Sequence, residues 1–292
     1  VPERLAVTLY SDPLCPWAYS ANPAFRALEW RYGDQLDWRL VLIGLSESYE
    51  QNVARGATPL RSAQGYLRYR RFGMPIAPAP RARVIASSRA CRAAVAARLV
   101  VPGSEWDVFR ALQFAAFTTP LLLDDDADLV RALEGVPGIE PQEIVSRVDD
   151  AEVTAAYDSD RAEARSAAGS AAELQGKTST SDGPVRFTAP SVTLAVNGRH
   201  LVAGGWQPLA AYDVCVANLA PEIERRAQPE DVAAALAEFP AGLTTYEVAT
   251  VMAAANDEPD GPGTERSLLE LVAEGRARRA PLGDDALWAP QP

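Results

Sequence analysis

The sequence predicts an α/β protein: a β-α-β unit, a long helical insertion, a closing β-β-α unit, and then a small α+β module. Three observations carry this expectation. Strand-like runs in the first 228 residues fall in two places only, 5–10 with 36–44 and 191–196 with 199–203. Between them, residues 50–172 are Ala-rich with helical periodicity, and after a Pro-marked break near residues 227–230 a separate helix-and-hairpin pattern begins.

The elements follow in order. LAVTLY at 5–10 has strand character, and residues 19–32 carry Phe25, Leu28 and Tyr32 at helical spacing. LDWRLVLIG at 36–44 is the next strand, parallel to the first because a helix joins them. Helical periodicity in the insertion is clearest at 83–99, 105–117, 127–134 and 141–148. Residues 191–196 and 199–203 flank Asn197-Gly198, the strongest short hairpin signal, and 208–225 reads as the last helix of this part with Pro208 early. The expected division is 1–228, with the insertion at about 50–180, and 229–292.

Length and composition narrow the function classes. A chain of 292 residues can bury a substantial core, and 48% hydrophobic with 23% charged side chains is ordinary for a soluble fold. No uncharged apolar run approaches the roughly 18 residues of a membrane span. VPERLAVTLY passes straight into a strand pattern with no basic, apolar leader, so the expected location is the cytoplasm, with no membrane partner. Cys15, Cys91 and Cys215 are too few for a disulfide framework, and His200 is the single histidine. That leaves no histidine-rich metal site, and without a G-x-S-x-G turn it argues against serine hydrolase chemistry. His200 reads as a strand residue beside a hairpin.

SDPLCPWAYS at 11–20 carries the chemistry. Cys15 falls at a helix N-cap with Pro16 at the first helical position, so the helix dipole and unpaired N–H groups are expected to depress its pKa below a free thiol's and make it nucleophilic. The bland alternative is a buried, inert cysteine. Pro190, in FTAPSVTLAVNG, is read alone as an ordinary strand-start proline, since cis X-Pro bonds are only about 5–6% of the total.

With Cys-Pro-Trp opening the first helix and Thr188-Ala189-Pro190 leading into the third strand, the order of elements over about residues 5–225 resembles a thioredoxin-fold protein of the DsbA family. Relatives of that family include kappa-class glutathione transferases and 2-hydroxychromene-2-carboxylate isomerases. The resemblance implies a cis Pro190 meeting Cys15 as the catalytic pair, with Asp12, Pro16, Trp17, Ala18, Thr188 and Ala189 as motif and substrate-contact residues. The family's turn is usually C-x-x-C, and here Ala18 stands where the second cysteine would be. The implied activity is therefore monothiol exchange: Cys15 attacks a disulfide-bearing protein or small molecule, and an external small thiol of the glutathione or mycothiol type, a cosubstrate rather than a bound cofactor, resolves the mixed disulfide. If Ala18 replaces a native cysteine, the native enzyme is a dithiol oxidoreductase. Cys91, in the expected helix 83–99, is the candidate secondary thiol, whereas Cys215 belongs to a core stripe with Tyr212, Val216 and Leu219.

No acidic residue occurs between Gln51 and Ser104, a stretch holding ten arginines in a protein of net charge −11. GYLRYRRFGMPI interleaves Arg with Tyr66, Tyr69 and Phe72, making Arg68, Arg70, Arg71, Arg89 and Arg92 the candidates for binding an anion; the alternative is a solvated face paired with acids such as those at 124–126. The tail pattern of helix, turn, helix, loop, helix and hairpin looks like a winged helix. Its 12 acidic and 4 basic side chains oppose phosphate, so no nucleic acid partner is expected, and an interaction or homodimerisation role is. Two other readings stay open. A kappa-class-like transferase or isomerase would not modify Cys15 covalently, and a non-catalytic binding or regulatory protein would not keep a low-pKa thiol.

Overall fold

The computed structural model describes residues 4–181 and 183–291. Strand β1 (Leu5–Ser11) is followed by α1 (Pro16–Tyr19), α2 (Asn22–Tyr32) and β2 (Leu36–Leu42). The expected single helix over 19–32 is two, because Pro23 has no N–H to bond back toward α1, and the chain bends at Ser20-Ala21. After the insertion come the two-residue strands β3 (Thr178–Ser179) and β4 (Arg186–Phe187), which pair with each other. They are followed by β5 (Ser191–Val196), β6 (Arg199–Ala203) and α11 (Leu209–Leu219). The main sheet has the order β2-β1-β5-β6; β2 is parallel to β1, and β5 and β6 run antiparallel. Asn197 and Gly198 both take positive φ, as a two-residue hairpin turn requires. The last helix stops at Leu219 rather than at 225, since Pro221 disfavours helical backbone at Ala220.

The insertion is a helical layer: α3 (Tyr49–Ala54), α4 (Pro59–Tyr66), a 3₁₀ segment (Leu67–Phe72), α5 (Ser88–Val100), α6 (Glu105–Thr118), α7 (Asp126–Leu133), α8 (Pro141–Ser146), α9 (Ala151–Ala164) and α10 (Ala171–Leu174). Helix α5 is its axis. Ala90, Cys91 and residues 93–97 have no exposed surface, and their small side chains let α6, α8 and α9 pack against it. The helix expected over 83–99 begins only at Ser88. The preceding residues are held as a loop by Asp124, whose Oδ2 accepts from Ala86 N–H at 3.0 Å and from Arg83 at 2.7 Å.

The C-terminal segment runs α12 (Val232–Glu238), β7 (Leu243–Thr244), α13 (Thr245–Met252), α14 (Gly261–Ala273), β8 (Ala277–Leu282) and β9 (Asp285–Pro290), with sheet order β7-β9-β8. Its apolar cluster centres on the fully buried Trp288 and takes in Trp30 from α2. Thr244 and Glu247 form a capping box at the start of α13. Arg110 of α6 reaches the same Glu247 with two bonds of 2.6 and 2.7 Å, a buried bidentate pair fastening this segment to the helical layer. Among the described residues no helix is long and apolar enough to cross a membrane.

Candidate active site

Asp12 and Pro13 occupy the first two places of a tight turn, where those residue types are favoured, and Cys15 closes it by donating its N–H to the Asp12 carbonyl at 3.1 Å. The buried Asp12 carboxyl ties the turn to its surroundings: Oδ1 accepts from Leu14 N–H at 2.9 Å and Oδ2 from Leu45 N–H at 2.8 Å. Pro16 then starts α1, leaving Cys15 as an extended N-cap whose side chain makes no capping bond. The thiol points instead at the segment before β5. There the Ala189–Pro190 peptide is cis, and Cys15 Sγ donates to the Ala189 carbonyl at 3.2 Å. Sheet register produces this meeting: Tyr10 pairs with Ser191, so the turn that follows β1 lies beside the residues that lead into β5.

A family model described as a DSBA-like thioredoxin domain matches residues 6–168. The chain belongs to this family. Solved structures with the same fold include a protein assigned as a disulfide isomerase from Nitrosomonas europaea (15% identity over 74% of this chain and 97% of that one, TM-score 0.55). A second is assigned as a DsbA oxidoreductase from Streptomyces coelicolor (16%, 78% and 94%, TM-score 0.54). The cytosolic disulfide reductase DsbM from Pseudomonas aeruginosa, solved with GSH, aligns less closely (18%, 68% and 89%, TM-score 0.47). No curated protein matches the chain in sequence.

In this DSBA-like frame the thiol departs from the sequence expectation of a depressed pKa. Cys15 is 6% exposed in an apolar cluster with Ala18, Phe187 and Ala189, and burial pushes its pKa up to about 12. The Ala18 and Trp17 backbone N–H groups and the Arg186 charge pull the other way, and the buried Asp12 adds to the rise. Desolvation wins because α1 is a single turn with a correspondingly small dipole, and because the bond to Ala189 requires the S–H proton. Burial also raises the Asp12 carboxyl. The docked thiol is therefore protonated at neutral pH. Iodoacetamide alkylation of Cys15 should rise about tenfold per pH unit from pH 7 to 10 without levelling; a plateau beginning at or below the free-thiol value of about 8.5 would contradict this.

The other sequence candidates fall into three groups. Trp17 and Ala18 border the thiol: Ala18 is buried, and Trp17 packs against Tyr69 and Phe72 with ring centroids 5.1 and 5.5 Å away. Thr188 is turned off, its hydroxyl donating to the Lys177 carbonyl at 2.9 Å. Cys91 has no exposed surface and lies 3.7 Å from Asp12 Oδ2, behind the turn, with burial pushing its pKa far up. Cys215 is half-buried on α11. Of the five arginines, Arg68 and Arg71 lie over the Tyr69 and Phe72 rings, Arg70 pairs with Asp284 at 3.0 Å, and Arg89 and Arg92 both pair with Asp149. Among the described residues no cluster of His, Cys, Asp and Glu is placed to hold a metal ion.

A cavity of about 390 Å³ opens beside the turn, reaching Leu14 and walled by Arg55, Arg81, Arg83 and Arg186, with no carboxylate lining it among the described residues. Arg81 is buried, and its guanidinium donates to the carbonyls of Leu121 at 2.9 Å, Thr119 at 3.4 Å and Ala116, neutral groups that leave its charge uncancelled. Arg55 likewise donates to the carbonyls of Leu45 and Ser181 at 3.3 and 3.4 Å, while Arg83 is shared with Asp124. Sequence reasoning found the arginine block but singled out other members of it. The available signal was Arg81 following APAP at 77–80, a stretch that cannot be helical and so presents its side chains differently from the helical Arg89 and Arg92.

Proposed function

We propose that the protein is a cytoplasmic monothiol thiol-disulfide oxidoreductase that uses Cys15 as nucleophile and a carboxylate-bearing small thiol of the glutathione type as cosubstrate. The observation that carries this reading is the Cys15 thiol 3.2 Å from the carbonyl before a cis proline, with Ala18 three residues on. An extended substrate segment donating an N–H to Ala189 O displaces the thiol's own hydrogen bond and frees Sγ to meet the substrate disulfide, with the Ala18 and Trp17 backbone N–H groups favouring the thiolate that attacks. Cys15 thiolate then attacks one sulfur of the substrate disulfide, the other leaves as thiolate, and a mixed disulfide remains on Cys15. With no thiol at position 18, the thiolate of the external cosubstrate attacks that mixed disulfide and regenerates Cys15. The cavity beside Leu14, where Arg55 and Arg81 spend their hydrogen bonds on neutral carbonyls, favours the glutathione type over an uncharged sugar-linked thiol of the mycothiol type. In this reading residues 229–292 form a winged-helix-like module whose net charge of −8 suits packing or protein interaction rather than nucleic acid.

A second reading has one observation in its favour: a buried, protonated thiol is also what a non-catalytic binding protein would keep. One experiment separates them. After incubation with excess oxidised glutathione, mass spectrometry of the digested protein should place a glutathione adduct on Cys15. An adduct on Cys91 or Cys215 with Cys15 spared refutes the assignment, and no adduct on any cysteine favours the binding protein.

A further inference from the structure

The tip of the β8–β9 hairpin lies against residues 70–76, the segment that continues from the aromatic wall beside Cys15. Each of the four residues 73–76 is held by a different group. Gly73, at φ +80, is pressed so close to the Tyr246 ring that an added Cβ would lie 2.1 Å from it. Met74 Sδ accepts from Thr244 Oγ at 3.7 Å, and the Pro75 carbonyl accepts from Tyr19 Oη at 2.9 Å. Ile76 N–H donates to Asp284 Oδ1 at 2.7 Å, and the second oxygen of Asp284 meets Arg70 Nε at 3.0 Å. Gly283, at φ +60, allows the approach, since a Cβ there would lie 3.0 Å from Thr118 and 3.2 Å from the Ile76 backbone. Three of these four clamps come from the C-terminal segment; Tyr19 is the fourth.

The clamped stretch leads directly to Tyr69 and Phe72. Those rings cover Trp17, and Phe72 also packs on Trp206 with centroids 4.9 Å apart. We infer that Asp284 is a positioning residue for the thiol site: by holding Ile76 and Arg70 it fixes the Tyr69–Phe72 wall over Trp17, and so sets how readily Cys15 is uncovered. This gives the C-terminal segment a role in the chemistry that needs no ligand of its own. The inference rests on Cys15 being the reactive thiol and adds the element that governs access to it.

The test is the rate of Cys15 alkylation by iodoacetamide in the full chain, read peptide by peptide, with Cys215 as an internal reference. Asp284→Ala should raise the Cys15 rate about tenfold by lowering the free energy of local opening, and leave the Cys215 rate unchanged. Asp284→Asn keeps an acceptor for Ile76 N–H and should fall between wild type and Asp284→Ala. Arg70→Gln, at an exposed site that threatens no core, should match Asp284→Asn, and combining the two should add nothing, as expected for partners in one contact. An unchanged Cys15 rate in Asp284→Ala, or Cys215 rising in parallel, overturns the inference. If Cys15 still takes up glutathione in that event, the exchange reading stands and only the positioning role falls.

Discussion

Replacing Cys15 by serine should lower exchange between oxidised glutathione and a small-thiol reductant by at least about a thousandfold, because neither remaining cysteine can take its place. Cys91 is sealed behind the Asp12 turn with no exposed surface, and Cys215 lies on α11 against the main core, a different apolar cluster from the one that holds Cys15. Cys215→Ser should accordingly leave the rate within about twofold of wild type. Cys91→Ser puts a hydroxyl beside Asp12 in a packed helix and should cost stability more than rate, by about 1 kcal/mol. Initial rates for the three single variants, each with its unfolding midpoint, give the comparison; a Cys91→Ser rate as low as that of Cys15→Ser would make Cys91 a participant.

The largest stability effect should come from Arg110. Its guanidinium is the principal counter-charge of Glu247, a carboxylate with no exposed surface that burial pushes up and Arg110 holds below the ordinary range. Arg110→Leu leaves that carboxylate buried and unpaired and should cost about 3–5 kcal/mol. Glu247→Gln keeps an acceptor for the capping bond to Thr244 N–H and should cost less. Because the folded carboxylate titrates below its unfolded value of about 4.3, the pair's contribution is present above that pH and is lost as pH falls through the folded value. Urea unfolding at pH 7 and at pH 3 should show the Arg110→Leu deficit shrinking at the lower pH. A deficit under about 1 kcal/mol at pH 7 would mean that apolar packing around Trp30 and Trp288 alone seats the segment.

What was legible in the sequence was local. The Asn197-Gly198 turn and the Pro16 helix start with Cys15 at its N-cap are each set within a few residues, and the structure forms them where the pattern stands. Effects that depend on distant partners were hidden. The reactivity of Cys15 looked like that of an N-cap thiol because Phe187 and Ala189, which bury it, lie more than 170 positions away. Arg89 and Arg92 looked available because Asp149, which pairs with both, lies beyond three further helices. The helix boundary at Ser88 was set by Asp124, again out of reach of local periodicity. The small β3–β4 pair escaped notice because two-residue strands carry no alternation to read.

The monothiol cycle itself is tested most directly on protein carrying glutathione as a mixed disulfide on Cys15. After removal of free thiol, release of that adduct should await added reduced glutathione and proceed at a rate proportional to its concentration with a zero intercept, because Ala18 supplies no internal nucleophile. Release at a finite rate in the absence of added thiol, with a Cys15–Cys91 disulfide appearing as glutathione leaves, would contradict the account.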